Sequence, residues 1–337
     1  MIKLYSLIEN EVTKMIAKKR LMFVLAILVI LISVFAYGQN RTLARTKAQL
    51  TQRMGITATT DWHKLAEQQL IDMKGRLDSP YMDAKSQSSL TVKMQQLQYD
   101  LDNNINPLDQ SAAKFTATFM EQSIFLFLPL LIVILAADMV SGESSSGTIK
   151  LLLVRNIPRW KILLSKYLAL IILEVVVIFC AFLLSALISG FFFGFGGWMA
   201  PVATGFRVLA GKLDASGVFN VPEWQFSLMV YSLAFFVAVV VGSISFMISV
   251  LVKSTAASIG IILATLIAGN FISFFLSDWT LTHYLFMVNL RLTDYLSGAV
   301  QPVDGMNMLF SVTVLIVWAL VSTIVSFVYF TKKDILV

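Results

Sequence analysis

The segment Gly142–Gly147, GESSSG, has the two glycines of a phosphate-binding loop, G-x-x-x-x-G-K-[ST], at the right separation. In such a loop the backbone N–H groups cradle phosphates and the lysine reaches the outer ones. Here Thr148 stands where the lysine is needed, and a long apolar run precedes the loop instead of a strand. The chain is therefore not expected to bind ATP through this loop.

Other reactive residue types are sparse. His63 and Glu67 stand four apart, so a helix presents them together, but no third metal ligand lies near them in the sequence. A solvated surface pair is the simpler reading, and no metal site is expected. His283, the other histidine, has no acidic or thiol neighbour at helical spacing. Cys180 is the single cysteine, which excludes paired-thiolate redox and zinc chemistry and leaves a packing role. Neither H-E-x-x-H nor G-x-S-x-G occurs, so no catalytic residue is assigned.

Glu174 is the clearest charged candidate, because it falls within an apolar run of membrane length. A charge at the centre of a spanning helix costs about 2.5–3.5 kcal/mol on insertion scales, so it is kept neutral, paired or facing a polar path. Two readings stand side by side: a cavity or coupling residue, and an interhelical hydrogen bond. Glu121 and Asp138 lie nearer the ends of another run, where interfacial hydration is the expected explanation.

The elements that position these residues follow from composition. Of 337 residues, 57% are hydrophobic and 14% charged, against about 25% charged in soluble domains. Six runs reach the roughly 20 residues that cross a bilayer core: 21–38, 116–140, 164–194, 226–252, 256–277 and 308–330. The expected fold is an all-α polytopic membrane protein with six transmembrane helices. The net charge of +6 sets topology rather than nucleic-acid binding. Lys14, Lys18, Lys19, Arg20, Lys150, Arg155, Arg159, Lys161, Lys166, Lys253, Lys332 and Lys333 fall on one side of a six-span arrangement. The positive-inside rule then places both termini in the cytoplasm.

Residues 1–20 pattern as an interfacial amphipathic helix, with Leu4, Ile8, Val12 and Met15/Ile16 on one face and Lys3, Asn10 and Lys14 opposite. With the first span they read as a retained signal anchor rather than a cleavable signal peptide. Nothing between Gly38 and Gly55 breaks a helix, so the first span is free to continue as a stalk. Residues 39–115 form the only large polar portion, expected to be a small extracytoplasmic helical domain. Its stripes are Trp62, Leu65, Met73 and Leu77, then Leu90, Met94, Leu97 and Leu101. Residues 195–225 read as an outer loop. Residues 278–307 read as an outer interfacial or re-entrant helix with Leu281, Leu285, Val288, Leu292 and Tyr295 on one face, and 331–337 as a cytoplasmic tail.

Residues 141–163 remain, between the second and third spans. The run from Asp138 to Lys166, DMVSGESSSGTIKLLLVRNIPRWKILLSK, resembles the cytoplasmic segment of ABC type-2 exporter permeases. The matching positions are Asp138, Glu143, Gly147, Thr148, Leu151, Leu152, Leu153, Pro158 and Lys166; Lys161 stands where the family pattern has arginine, with Arg159 between. Lysine there keeps the charge but lacks the planar fork of a guanidinium. The layout resembles bacterial members linked to antibiotic, peptide or sodium export.

The resemblance implies a multi-pass permease subunit of a bacterial cell membrane. It would pair with a second permease subunit and rest on a separate ATP-binding-cassette ATPase that binds ATP and Mg. This chain would carry no cofactor and contact no nucleic acid. The ATPase-coupling residues would be Glu143, Gly147, Thr148, Leu151, Leu152, Arg155, Pro158, Arg159 and Lys161, around a short helix at Ile149–Val154 that Thr148 is placed to cap. Glu143 is expected to contact the ATPase. Two rival readings are a membrane-bound sensor or assembly subunit with the outer domain as receptor, and an ion-coupled secondary transporter. The latter ordinarily has discontinuous spans and more buried ionisable groups.

Overall fold

The computed structural model describes residues 4–53, 61–77, 82–148, 157–209, 211–275, 279–301, 303 and 305–332. The turn after Gly55, the Asp78–Pro80 stop, the Ile149–Val154 helix with Leu151, Leu152 and Arg155, and the tail from Lys333 lie outside the described residues.

The chain is mostly helical. α1 (Leu4–Ala17) leads through a reversal at Lys19, whose φ is +57°, into α2 (Arg20–Arg53). α3 (Trp62–Leu77) and α4 (Ala84–Asp102) form a hairpin, and α5 (Ala112–Ser123) and α6 (Phe127–Ala136) a bent pair. α7 (Ser141–Ser145) precedes the long α8 (Arg159–Phe193). Two small antiparallel pairs follow: β1 (Pro201–Thr204) with β4 (Phe219–Pro222), and β2 (Arg207–Leu209) with β3 (Lys212–Asp214). α9 (Glu223–Leu251), α10 (Thr255–Phe275), two 3-10 turns at Thr280–Tyr284 and Phe286–Leu290, α11 (Asp294–Ser297) and α12 (Met308–Lys332) complete the order.

Four helices are long and apolar enough to cross a bilayer: α2, α8, α9 and α12. The bent pair α5/α6 makes a fifth if its halves are one span; α10 is apolar over the shorter stretch Thr255–Gly269. Among the described residues there are thus four to five candidate spans, where the sequence predicts six. α9 is the hub, with 67% of its apolar window buried against 22% for α2 and α12. Val230, Ala234, Val237, Ala238 and Val241 are among its buried residues, and it packs on α5, α6, α8, α10 and α12.

The expected straight helix over 116–140 is broken instead, with its halves meeting at 66°. Pro129 sits in the first turn of α6. It has no N–H for the carbonyl of Phe125, and its ring would collide with that carbonyl, so a continuous helix is disfavoured there. α2 is unbroken over 34 residues, about 51 Å at 1.5 Å per residue. It outruns a core of roughly 30 Å, and its polar second half forms the anticipated stalk.

The hairpin is packed by Met94, Leu97 and Leu101 of the second predicted stripe, whereas on α3 the core residues are Ala66 and Leu70 rather than the predicted Leu65 and Leu77. Ala66, Leu70 and Leu97 form its core, with Trp62, Met73, Met94 and Leu101 against them. Asp83 caps α4 by accepting from Ser86 N, and Arg53 at the end of α2 pairs with Asp72 of α3. The 279–297 stretch is not the single helix expected. It is two 3-10 turns and a short helix, with Phe286, Val288, Leu290 and Leu292 buried. Asn289 Nδ2 donates to the carbonyls of His283 and Leu285, 2.8 Å each, which favours these tight turns over a straight helix.

Candidate functional site

Six helices, α1, α2, α7, α8, α9 and α10, contribute to a junction at the end of the bundle where α1 lies. Apolar packing brings α1 there, since Ile8, Val12 and Met15 rest against the helical core while Ile16 faces outward. That face also carries Glu11, four residues before Met15, so burying the stripe buries a carboxylate with it.

Glu11 is matched. Lys166 Nζ, on a side chain 1% exposed, lies 2.7 Å from Glu11 Oε2 and 2.8 Å from Glu143 Oε2. Lys14 Nζ lies 2.8 Å from Glu11 Oε1 and 3.1 Å from Glu143 Oε1. Two anions and two cations thus alternate around a closed ring that joins α1, α7 and α8. Each charge has two opposite neighbours, which offset part of its desolvation cost. Burial pushes the Glu11 carboxyl up, but Lys166 and Lys14 outweigh it and hold it below the ordinary carboxylate value. Burial pulls Lys14 down, and Glu11 and Glu143 outweigh that to hold it above the ordinary lysine value.

A second centre lies beside the ring. Asp138, between α6 and α7, is buried rather than hydrated as the sequence implied. Its Oδ1 lies 2.9 Å from Arg20 Nη2 and accepts from Thr255 Oγ1 at 3.1 Å, while its Oδ2 lies 3.1 Å from Lys18 Nζ. A Cβ on Gly142 would come within 2.1 Å of Asp138 Oδ1, so glycine is required there for clearance. Ser249 of α9 completes the junction. Its hydroxyl accepts from Val140 N and Ser141 N and donates to Ala137 O, closing backbone groups freed between α6 and α7.

The predicted coupling residues divide around this junction. Glu143 is buried, with both oxygens within ion-pair distance of lysines of its own chain, Lys14 and Lys166. Gly147 does supply a turn, at φ +73°, in open space. Thr148 is exposed, its hydroxyl 2.9 Å from that of Ser146. Pro158 stands at the N-cap of α8, accepting from Lys161 N at 2.9 Å. Arg159 and Lys161 therefore belong to the first turn of α8 rather than to a loop, and Lys161 lies over the Trp160 ring at 5.4 Å. Leu151, Leu152 and Arg155 lie outside the described residues.

Glu174 is not part of the cluster. It lies eight residues past Lys166 on α8, roughly 12 Å along the axis. It is 1% exposed, and neither carboxylate oxygen has a hydrogen-bond partner among the described residues. A Cβ on Gly242 of α9 would fall 1.9 Å from its Oε1, so glycine there makes room for the carboxyl between the two helices. Of the two readings of Glu174, the interhelical hydrogen bond is absent among the described residues. Glu11, Lys14, Lys18 and Arg20 are members that the sequence reading did not join to the motif. The available signal was Glu11, a carboxylate placed on an apolar stripe.

The family of sequences described as "Protein of unknown function (DUF2705)" matches residues 84–336, which hold Asp138, Glu143, Lys166 and Glu174. This chain belongs to that family. Two Bacillus subtilis (strain 168) proteins are similar to it. "Uncharacterized protein YhcI" is 24% identical over 287 residues, covering 82% of this chain and 86% of the relative. "Uncharacterized membrane protein YdbK" is 27% identical over 218 residues, covering 63% of this chain and 80% of the relative. With its apolar helices, this DUF2705 chain is a helical membrane protein.

Proposed function

We propose that the chain is the transmembrane permease subunit of a type-2 ATP-binding-cassette transporter, an exporter. In this reading it has six spans with both termini cytoplasmic, and sits in a bacterial cell membrane beside a second permease subunit. A separate ATPase subunit binds ATP and Mg, and no catalytic residue belongs to this chain. The observation that carries the reading is the ring Glu11–Lys166–Glu143–Lys14. A segment that passes motion from a motor to membrane helices must be fixed to those helices. Glu143 lies near its start and Lys166 just beyond its end, and their ion pair locks both to α1. Such a unit moves as a rigid body.

Glu143 then braces the segment from within, and residues 145–161 meet the ATPase. The test is affinity purification of the membrane-embedded chain in mild detergent, followed by ATP hydrolysis and transport in proteoliposomes. A Walker-motif ATPase should co-purify. Leu152→Asp should release it or uncouple hydrolysis from transport while insertion is retained, since losing a buried interface anchor can cost about 2 kcal/mol or more. Glu174→Gln should alter transport or ATPase stimulation with the fold kept. Absence of any ATPase, together with silence of Leu152→Asp, would sink the proposal.

A further inference from the structure

The opposite end of the bundle from α1 holds a cavity of about 270 Å³. It lies where the hairpin meets the starts of α5 and α9 and the strand β1. Asp100, Asp109, Glu121 and Glu223 line it together with one cation, Lys114. Lys114 Nζ donates to the carbonyl of Pro107 at 2.8 Å and makes no ion pair with these carboxylates among the described residues. Arg291 stacks over the Phe125 ring at 3.9 Å and likewise pairs with none of them.

Four carboxylates against one lysine would be unremarkable on an open surface. Here Glu223 is 4% exposed and has no side-chain partner among the described residues, and Glu121 Oε1 is buried and unpartnered. A buried carboxylate without a donor is costly. These two are held into the cavity by regular elements: Glu223 opens α9, with its N–H bonded to Ala200 O at 2.9 Å, and Glu121 lies on α5. The remaining wall is mixed: Ile105, Ala117, Phe206 and Phe226 are buried apolar residues facing the same space, and Gln96, Asn106, Ser111, Thr118 and Ser297 add uncharged polar groups. No group of three or more His, Cys, Asp or Glu among the described residues has the geometry of a metal site.

We propose that this cavity binds a small organic cation, an amine or guanidinium with a short hydrocarbon stem, through Glu223 and Glu121. Its cationic head donates to the two carboxylates, and the stem lies on the Phe206 and Phe226 side. Asp100 and Asp109 add attraction at the rim. The volume lies just below the range for drug-sized ligands, which fits a small molecule. The inference does not rest on the transport reading.

The test is isothermal titration calorimetry of the full chain in nanodiscs with 1,4-diaminobutane and agmatine, using butane-1,4-diol as the uncharged isostere. Saturable binding of the amines without binding of the diol is expected. Glu223→Gln and Glu121→Gln should each weaken it by about 10-fold, as loss of a charge-assisted hydrogen bond implies. Asp102→Asn, exposed and outside the cavity, should leave it unchanged. If a glutamine variant fails to remain monodisperse, Ala203→Trp in the wall should abolish binding through bulk alone. The proposal is overturned if neither amine binds at millimolar concentration, if the diol binds equally, or if the glutamine or tryptophan variants that fold bind as the parent does.

Discussion

Lys166 Nζ lies 2.7 Å from Glu11 Oε2, joining residues 155 positions apart in the chain. The pair fastens an amphipathic helix at the bundle's end to the first turns of its longest helix. Neither residue would be stable there alone. A lysine buried to this degree without an anion is costly, and so is a carboxylate carried inward on an apolar stripe. Fastening of this kind makes α1 part of the working unit rather than a loose interfacial anchor.

Lys166→Met leaves Glu11 and Glu143 facing each other with only Lys14 between them. Loss of one partner from a buried pair costs about 3–5 kcal/mol, so a marked fall in thermal midpoint is expected in detergent. A double-mutant cycle with Glu11→Gln and Lys166→Gln should return a coupling of about 1–3 kcal/mol. Additive effects would mean that the two do not interact.

The ring also imposes a pH window. The folded-state pKa of Glu11 lies below its ordinary 4.5. Its stabilising contribution is therefore fully present above that value and is lost as pH falls through the depressed one. Lys14 is held above its ordinary 10.5, so its contribution is present below that value and lost as pH rises through the raised one. Thermal melts should show a plateau at neutral pH with an acid limb, and the limb should shrink in Glu11→Gln. An identical acid limb in that variant would remove Glu11 as its cause.

Two glycines should respond in opposite directions. Gly142→Ala puts a Cβ into the Asp138 carboxylate and should destabilise by about 1–3 kcal/mol, in the manner of overpacking. Gly75→Ala, on α3 with nothing within 4 Å, should stabilise the hairpin by about 0.5–1 kcal/mol, because alanine loses less conformational freedom on folding. Denaturant midpoints of the two variants check both, and equal effects would contradict the placement of Asp138.

Leu97→Asp buries an unpaired carboxylate in the small core that Ala66, Leu70 and Leu97 build. A cost of about 2 kcal/mol or more is large for so few buried side chains. Limited proteolysis should then cut within α3 and α4 while the apolar helices stay protected. Unchanged resistance would mean that the hairpin is held elsewhere, through Gln96 to the carbonyls of Ser297 and Gly298 or Gln95 to Leu213 N.

Sidedness is open to direct chemistry. With Cys180 replaced, Gln87→Cys on the exposed face of α4 should react with an impermeant maleimide in intact cells. Ser145→Cys at the end of α7 should react only after permeabilisation. The reverse pattern would invert the proposed topology.

Much of the architecture is local in origin and was legible in the residue order. Apolar runs of membrane length make helices wherever they lie, so α2, α8, α9 and α12 follow from composition, and helical spacing made α4's Met94, Leu97 and Leu101 legible while Ala66 and Leu70, the α3 residues they meet, were not. The bend between α5 and α6 was also written locally, in Pro129, but its apolar neighbours masked the missing donor. The junction under the bundle is different. A motif search finds Asp138, Glu143 and Lys166, yet it cannot say whether their charges point outward to a partner or inward to one another. That depends on distance through space, and the partners Glu11, Lys14 and Arg20 lie more than 100 residues away, within the first 20 positions of the sequence. The same holds for Glu121 and Glu223, about 100 residues apart, whose common cavity exists only once α5 and α9 are packed. Hydrophobic burial decides which helices form, whereas the pairing of charges depends on which helices meet, and only the tertiary structure decides that.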